Sequence, residues 1–170
     1  MGVFMASIAF RCGDSKVWET SKDQIDSMFR GLDGLADNLC SDGPGYAIVS
    51  PYGDMGMFLS ELPGRISRLV EDYAVFATCV DSDFALLELY KNGELLESCS
   101  VGEVYEEYGE FCSVNKPNID LWTPLLIDSN DAGLLEDALM GNEVFVEDQL
   151  RQISKLTGLP IFDDALVFGC

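Results

Sequence analysis

Apolar residues recur in two rhythms along this chain, and the switch between them marks out the elements. Ile25, Met28, Phe29, Leu32, Leu35, Ala36 and Leu39 return every third or fourth position. That is the period of a helix with one buried face, so residues 21–39 are expected to be helical. Ser21 followed by Gln24 suits a capping box at the start, although Gly31 and Gly34 each weaken the helix by about 1 kcal/mol relative to alanine. Residues 2–11 and 46–50 read as strands, the latter closed by Pro51 and Gly53. A second helix is expected over 63–72, with Pro63 in its first turn and Ile66, Leu69 and Val70 on its apolar face.

The rhythm then becomes that of strands. Residues 73–80 and 84–91 are expected to pair through the turn Asp81-Ser82-Asp83, a run of residues whose side chains bond local backbone amides. Asn92-Gly93 is a strong hairpin signal, and 94–101 is the returning strand. Beyond Cys112, Pro117 and Pro124 punctuate an irregular stretch containing Trp122. Helices are expected over 131–140 and 144–156, the second with Val144, Phe145, Leu150, Ile153 and Leu156 as its apolar residues and stopped by Gly158 and Pro160. The expectation is an α+β fold: one mainly antiparallel sheet, in chain order β-α-β-α-β-β-β, with helices on one face and a C-terminal helical extension. The sheet domain spans 1–115, and the extension, 116–170, docks on it as one cooperative unit. The second face of the sheet must then be covered either by residues 116–170 or by another chain.

A 170-residue chain that is 48% hydrophobic can build a core of its own. No apolar run approaches the roughly 20 residues of a membrane span. The opening run Met1 to Phe10 carries no basic residue, so it reads as a strand rather than a signal peptide. Ala6 stands where a myristoylation motif has Ser or Thr. Cys12, Cys40, Cys79, Cys99, Cys112 and Cys170 form no CxxC pair, which suits reduced thiols in a cytoplasmic protein. With no histidine and no clustered cysteines, no zinc site is expected, and no cofactor of any kind is implied.

Charge narrows the choice of function. Thirty acidic residues face ten basic ones, a formal net charge of −20. Residues 92–150 hold 14 acidic residues against Lys116 alone, whereas 1–91 carry a net −7 and 151–170 balance. Such a field repels nucleic acid and anionic membrane and attracts basic proteins. The densest cluster is Glu103, Glu106, Glu107 and Glu110 interleaved with Tyr105, Tyr108 and Phe111. Aromatic contact area beside carboxylate acceptors is what a basic partner would recognise. Those seven residues, with Asp81 and Asp83 of the hairpin turn, are the candidate partner-binding residues.

Catalytic readings find less support. Neutral-pH proton transfer usually relies on histidine, and a cysteine nucleophile without one is poorly activated. Carboxylate pairs such as Asp81/Asp83, Glu106/Glu107 or Glu143/Glu147 could run acid/base chemistry, but an acidic chain produces such pairs by chance. Residues 128–133 imitate the start of a calcium loop, yet Ala132 and Leu139 occupy positions that need oxygen ligands. Asp131 is better read as a helix cap or a first-turn acid. No GxSxG, GxxxxGK[ST] or GxGxxG motif is present. The last two helices have helix-turn-helix proportions, but their acidic surroundings exclude DNA contact on sign.

The run from Val75 through Asp81-Ser82-Asp83 to Asn92-Gly93, the segment Asp120-Leu121-Trp122-Thr123-Pro124-Leu125-Leu126, and the closing Phe145 to Leu150 and Leu156 to Pro160 together resemble a group of small bacterial proteins. Some of these are immunity proteins of polymorphic-toxin or contact-dependent inhibition systems. The resemblance covers 60–170 and contains no catalytic signature. It implies a cytoplasmic, stoichiometric inhibitor of a cognate toxin and assigns no binding residues. A basic toxin that cuts nucleic acid would be steered to an acidic inhibitor. The alternatives are a carboxylate-based enzyme or small-ligand domain, and an acidic adaptor or nucleic-acid mimic.

Overall fold

The computed structural model describes residues 5–30, 39–40, 45–50, 61–104, 115–141, 145–162 and 164. Its described elements run β1 (Met5–Arg11), α1 (Ser15–Arg30), β2 (Leu39–Cys40), β3 (Gly45–Ser50), α2 (Leu62–Val70), β4 (Tyr73–Val80), β5 (Phe84–Lys91), β6 (Glu94–Gly102), α3 (Ile119–Trp122), α4 (Ala132–Met140) and α5 (Val146–Thr157). Short 3-10 turns occupy Thr123–Leu125 and Ser129–Asp131. The strands form one sheet in the order β2-β3-β1-β4-β5-β6, with every neighbouring pair antiparallel. The α+β class and the C-terminal helical region are as the sequence led one to expect. No described helix is long and apolar enough to cross a membrane.

The central strand β1 shows why helices pack on both faces. Its residues alternate sides, as a pleated strand must, and residues 5–10 are all buried. Ala6, Ile8 and Phe10 face Ile25 and Phe29 of α1 and Leu62, Ile66 and Val70 of α2. Met5 and Ala9 face the opposite core, which contains Val75, Ala77, Leu87, Leu89, Trp122, Leu135, Leu139, Leu150 and Ile153. The described residues between 119 and 162 therefore cover the second face of the sheet. Ser7, fully buried between Met5 and Ala9, donates its hydroxyl to Ile161 O at 2.7 Å, which fixes the chain beyond α5 to the centre of the sheet.

Several local expectations need correction. The first helix begins at Ser15 rather than Ser21. Asp14 caps it, its Oδ1 accepting from Lys16 N at 2.8 Å and Val17 N at 3.4 Å. Ser21 is a buried mid-helix residue whose hydroxyl donates to Leu69 O at 2.8 Å. That carbonyl lies in the last turn of α2, where it has no intrahelical donor. A polar residue thus sits in the apolar stripe because the neighbouring helix end needs a hydrogen bond. Cys40, read as part of a turn-rich link, belongs to the two-residue strand β2. The stretch around Trp122 is helical, with Asn118 Oδ1 accepting from Asp120 N at 3.2 Å. The 128–131 segment takes its cap from Asp128, whose Oδ1 accepts from Asn130 N at 2.9 Å, whereas Asp131 makes no side-chain cap bond.

Candidate functional site

At one end of the sheet, the β4–β5 turn, the end of β6 and the start of α5 are bonded into a single corner. Asp81 and Ser82 both have positive φ, 51° and 64°, and Asp83 N closes the turn on Val80 O at 3.1 Å. Left-handed backbone is costly for residues other than glycine, though least so for short polar side chains. The surroundings supply compensating bonds. Ser82 Oγ donates to Glu147 Oε1 at 2.5 Å, Ser82 O accepts from Val146 N at 3.0 Å, and Asp83 O accepts from Glu103 N at 3.1 Å.

This corner holds three of the sequence-derived candidates. Asp81 and Glu103 are exposed, Asp83 is half-buried, and the backbone bond places Asp83 beside Glu103. Tyr105, Glu106, Glu107, Tyr108, Glu110 and Phe111 lie outside the described residues.

The chemistry available among the described residues is limited. The Cys79 thiol at the end of β4 is pushed up to about 12, first by burial and then by the nearby Glu147 carboxylate. Burial also raises Cys99, with Glu97 adding to the effect, and raises Cys12. Since the thiolate is the nucleophile, these three cysteines act as small apolar side chains at neutral pH. Glu147 Oε2 and Gln149 Oε1 are buried without a hydrogen-bond partner among the described residues. No described group of three or more Cys, Asp or Glu residues is arranged to hold a metal ion. A depression of about 440 Å³ bordered by Asp23, Gln24, Ser27, Met28 and Arg65 is wide open to solvent. That shape does not suit an enclosed small-molecule site.

The surface of the C-terminal layer is more distinctive. In α4, Leu135, Ala138 and Leu139 are buried, while Gly133, Leu134, Glu136, Asp137 and Met140 are exposed. At 100° per residue those five fall on one continuous outward face. Leu134 is 55% exposed and Met140 45%. Phe145, just before α5, is 56% exposed. The sequence reading placed it on the apolar face of a helix, but the helix starts one residue later. Phe145 O accepts from Asp148 N at 3.1 Å, and the next residue is bonded to Ser82. Gln149 Nε2 donates to Ala138 O at 3.1 Å and Gly141 O at 2.9 Å, tying the end of α4 to the first turn of α5. Met140, Phe145 and the acidic turn therefore belong to one connected corner.

The C-terminal layer also carries exposed carboxylates. Asp120, Asp128, Glu136 and Asp137 are exposed. The ion pairs among the described residues join Arg11 to Asp72, Lys22 to Glu19, and Arg151 to both Asp148 and Asp164. None of them neutralises these four carboxylates. Hydrogen bonding to Arg151 lowers the Asp164 carboxyl from its ordinary value, and Asp164 in turn raises the Arg151 guanidinium.

Periodicity could have pointed to Leu134 and Met140. They fall off the i, i+3, i+4 stripe of Leu135, Ala138 and Leu139 in a helix whose other outward residues are polar. Phe145 gave no such signal, because its exposure depends on where α5 begins.

No family model, curated protein or solved structure matches this chain.

Proposed function

We propose that this chain is a non-enzymatic, immunity-type protein that binds a basic bacterial toxin, a nuclease in the sharpest form of the reading, and neutralises it stoichiometrically in the cytoplasm. The observation that carries the reading is the outer surface of the C-terminal layer. That layer exposes Leu134, Met140 and Phe145, and it also exposes the carboxylates of Asp120, Asp128, Glu136 and Asp137, which form no ion pair among the described residues. Binding energy at interfaces concentrates in a few apolar anchors, while surrounding charge sets the partner's sign and the rate of encounter. A net −13 over residues 92–150 favours a basic partner. It also disfavours the nucleic acid on which a toxin of that kind would act, which fits an inhibitor that competes for the toxin's phosphate-binding groove.

The test is to purify the proteins encoded by the neighbouring genes, assay them for nuclease activity, and titrate that activity with this chain in 150 mM salt. Neighbours without such activity would remove the nuclease reading. Activity should fall to background at a 1:1 ratio. Unchanged nuclease activity at a tenfold excess of this chain would remove the reading.

A further inference from the structure

The turn that closes the β5–β6 hairpin is built from a chemically labile pair. Asn92 is followed by glycine, whereas Asn38, Asn115, Asn118, Asn130 and Asn142 precede Leu, Lys, Ile, Asp and Glu. Asparagine before glycine is the pair most prone to deamidation, because no side chain shields the following amide nitrogen. That nitrogen attacks the asparagine Cγ: the N–Cγ bond forms, the Cγ–Nδ2 bond breaks, and ammonia leaves with the proton that the amide gave up. Water then opens the cyclic succinimide at either carbonyl, giving aspartate or isoaspartate.

The hairpin needs these two residues. Asn92 has φ of 51° and Gly93 of 89°, the left-handed backbone that a two-residue turn demands and that Asn and Gly adopt most readily. Asn92 is exposed, so its side-chain amide is open to water.

The fold supplies a guard on the attacking atom. Gly93 N donates to Ser67 Oγ at 2.9 Å, and Ser67, fully buried in α2, donates in turn to Gly64 O at 3.0 Å. Gly64 lets the turn sit directly on the helix: a methyl group there would meet the Tyr90 ring at 3.4 Å and Gly93 O at 3.5 Å. Arg68 covers the bare Cα of Gly93, where a methyl group would lie 2.5 Å from Nε. Gly93 N therefore cannot swing onto Asn92 Cγ until the turn lifts off α2. The tip has few contacts to hold it down. Glu94, Leu95 and Leu96 are exposed, and the β5–β6 register shifts between Leu89 and Tyr90. Few buried contacts and an irregular ladder mark a segment that opens locally, without global unfolding.

We propose that Asn92 is a deamidation site gated by Ser67, converted only in molecules whose hairpin tip has left α2. Aspartate can keep the turn. Isoaspartate inserts an extra main-chain carbon that a two-residue turn cannot absorb, so the tip of those molecules stays off the helix.

The full chain, folded or unfolded in urea, is incubated at neutral pH, and conversion at each asparagine is followed by peptide-mapping mass spectrometry. In urea Asn92 should convert at least tenfold faster than any other asparagine. In the native protein it should convert at least tenfold more slowly than in urea. Ser67→Ala should raise the native rate about threefold or more, the effect of one lost hydrogen bond on the opening equilibrium. Ser82→Ala, which removes a hydrogen bond at the opposite end of β5, should leave the rate within twofold of wild type. Equal rates for native and urea-unfolded wild type overturn the guard, and that comparison stands even if Ser67→Ala does not fold. A Ser67→Ala rate no faster than wild type also overturns it. Equal acceleration by both variants assigns the gate to global unfolding and overturns it too. An Asn92 no faster than the other asparagines in urea removes the site itself.

Discussion

Glu97 on β6 receives the indole N–H of Trp122 at 2.5 Å on one carboxylate oxygen, and Asn118 N at 2.7 Å on the other. The single side chain thus joins the edge of the sheet to the first turn of the C-terminal layer. Trp122 is fully buried and is the largest of the fully buried side chains among the described residues. Its N–H must find an acceptor inside the protein, because an unsatisfied buried donor costs about 1–3 kcal/mol. Glu97→Ala should lower stability by roughly that amount, read as a reduced urea midpoint with an unchanged m-value. Glu97→Gln keeps one acceptor oxygen and should lose less. Equal midpoints for wild type and Glu97→Ala would show that the bond contributes nothing.

That relationship also indicates what was legible in the sequence. The β4–β5–β6 meander was, because Asp81-Ser82-Asp83 and Asn92-Gly93 are local turn chemistry and the β4 and β5 segments they bound are short and mostly apolar. β4 and β5 run over the residues expected for them. The start of α1 was not legible, because Ser21 occupies a core-facing position in order to satisfy Leu69 O, a partner 48 residues away. Trp122 was visible as a residue but not as the centre of a core, since its acceptor lies on another element. The acid-rich third of the chain was plain from counting. The exposed apolar side chains of α4 were not, because an apolar side chain declares itself as outward-facing only once the buried stripe of its helix is fixed.

The second prediction concerns the corner. Ser82→Ala removes the donor that Glu147 Oε1 holds, and leaves a carboxylate that is only 6% exposed with less compensation. The expected loss is about 1–3 kcal/mol by chemical denaturation. Replacing both residues, as Ser82→Ala with Glu147→Met, should recover part of that loss, since two matched apolar groups leave nothing unpaired. A double variant less stable than the sum of both single variants would contradict this account of the corner.

Gly102 and Gly133 should respond to alanine with opposite signs. Gly102 has φ of +82°, and its added methyl group would lie 2.4 Å from Asp83 O and 3.0 Å from Phe84 Cα, both backbone atoms. Backbone cannot yield as a side chain can, and left-handed backbone is itself unfavourable for alanine. Gly102→Ala should therefore cost more than about 1 kcal/mol in thermal or urea unfolding. Gly133→Ala should be neutral or stabilise by up to about 1 kcal/mol. Destabilisation of similar size at both positions would mean that Gly133 is held by a contact within the chain.

The last prediction follows from the thiol of Cys79. Burial, reinforced by Glu147, raises it from an ordinary 9.0 to about 12. Between those values the unfolded chain has released the thiol proton while the native protein retains it. The unfolded state then binds fewer protons, so stability falls as pH rises. The contribution is complete below pH 9 and is lost progressively towards pH 12. Cys99 and Tyr90, both raised chiefly by burial, act in the same direction. Urea midpoints measured under reducing conditions from pH 8 to 11 should decline, and Cys79→Ala should make the decline shallower even if its stability at pH 8 is lower. Parallel pH profiles for the two proteins would mean that the Cys79 thiol ionises as readily in the native state as in the unfolded chain.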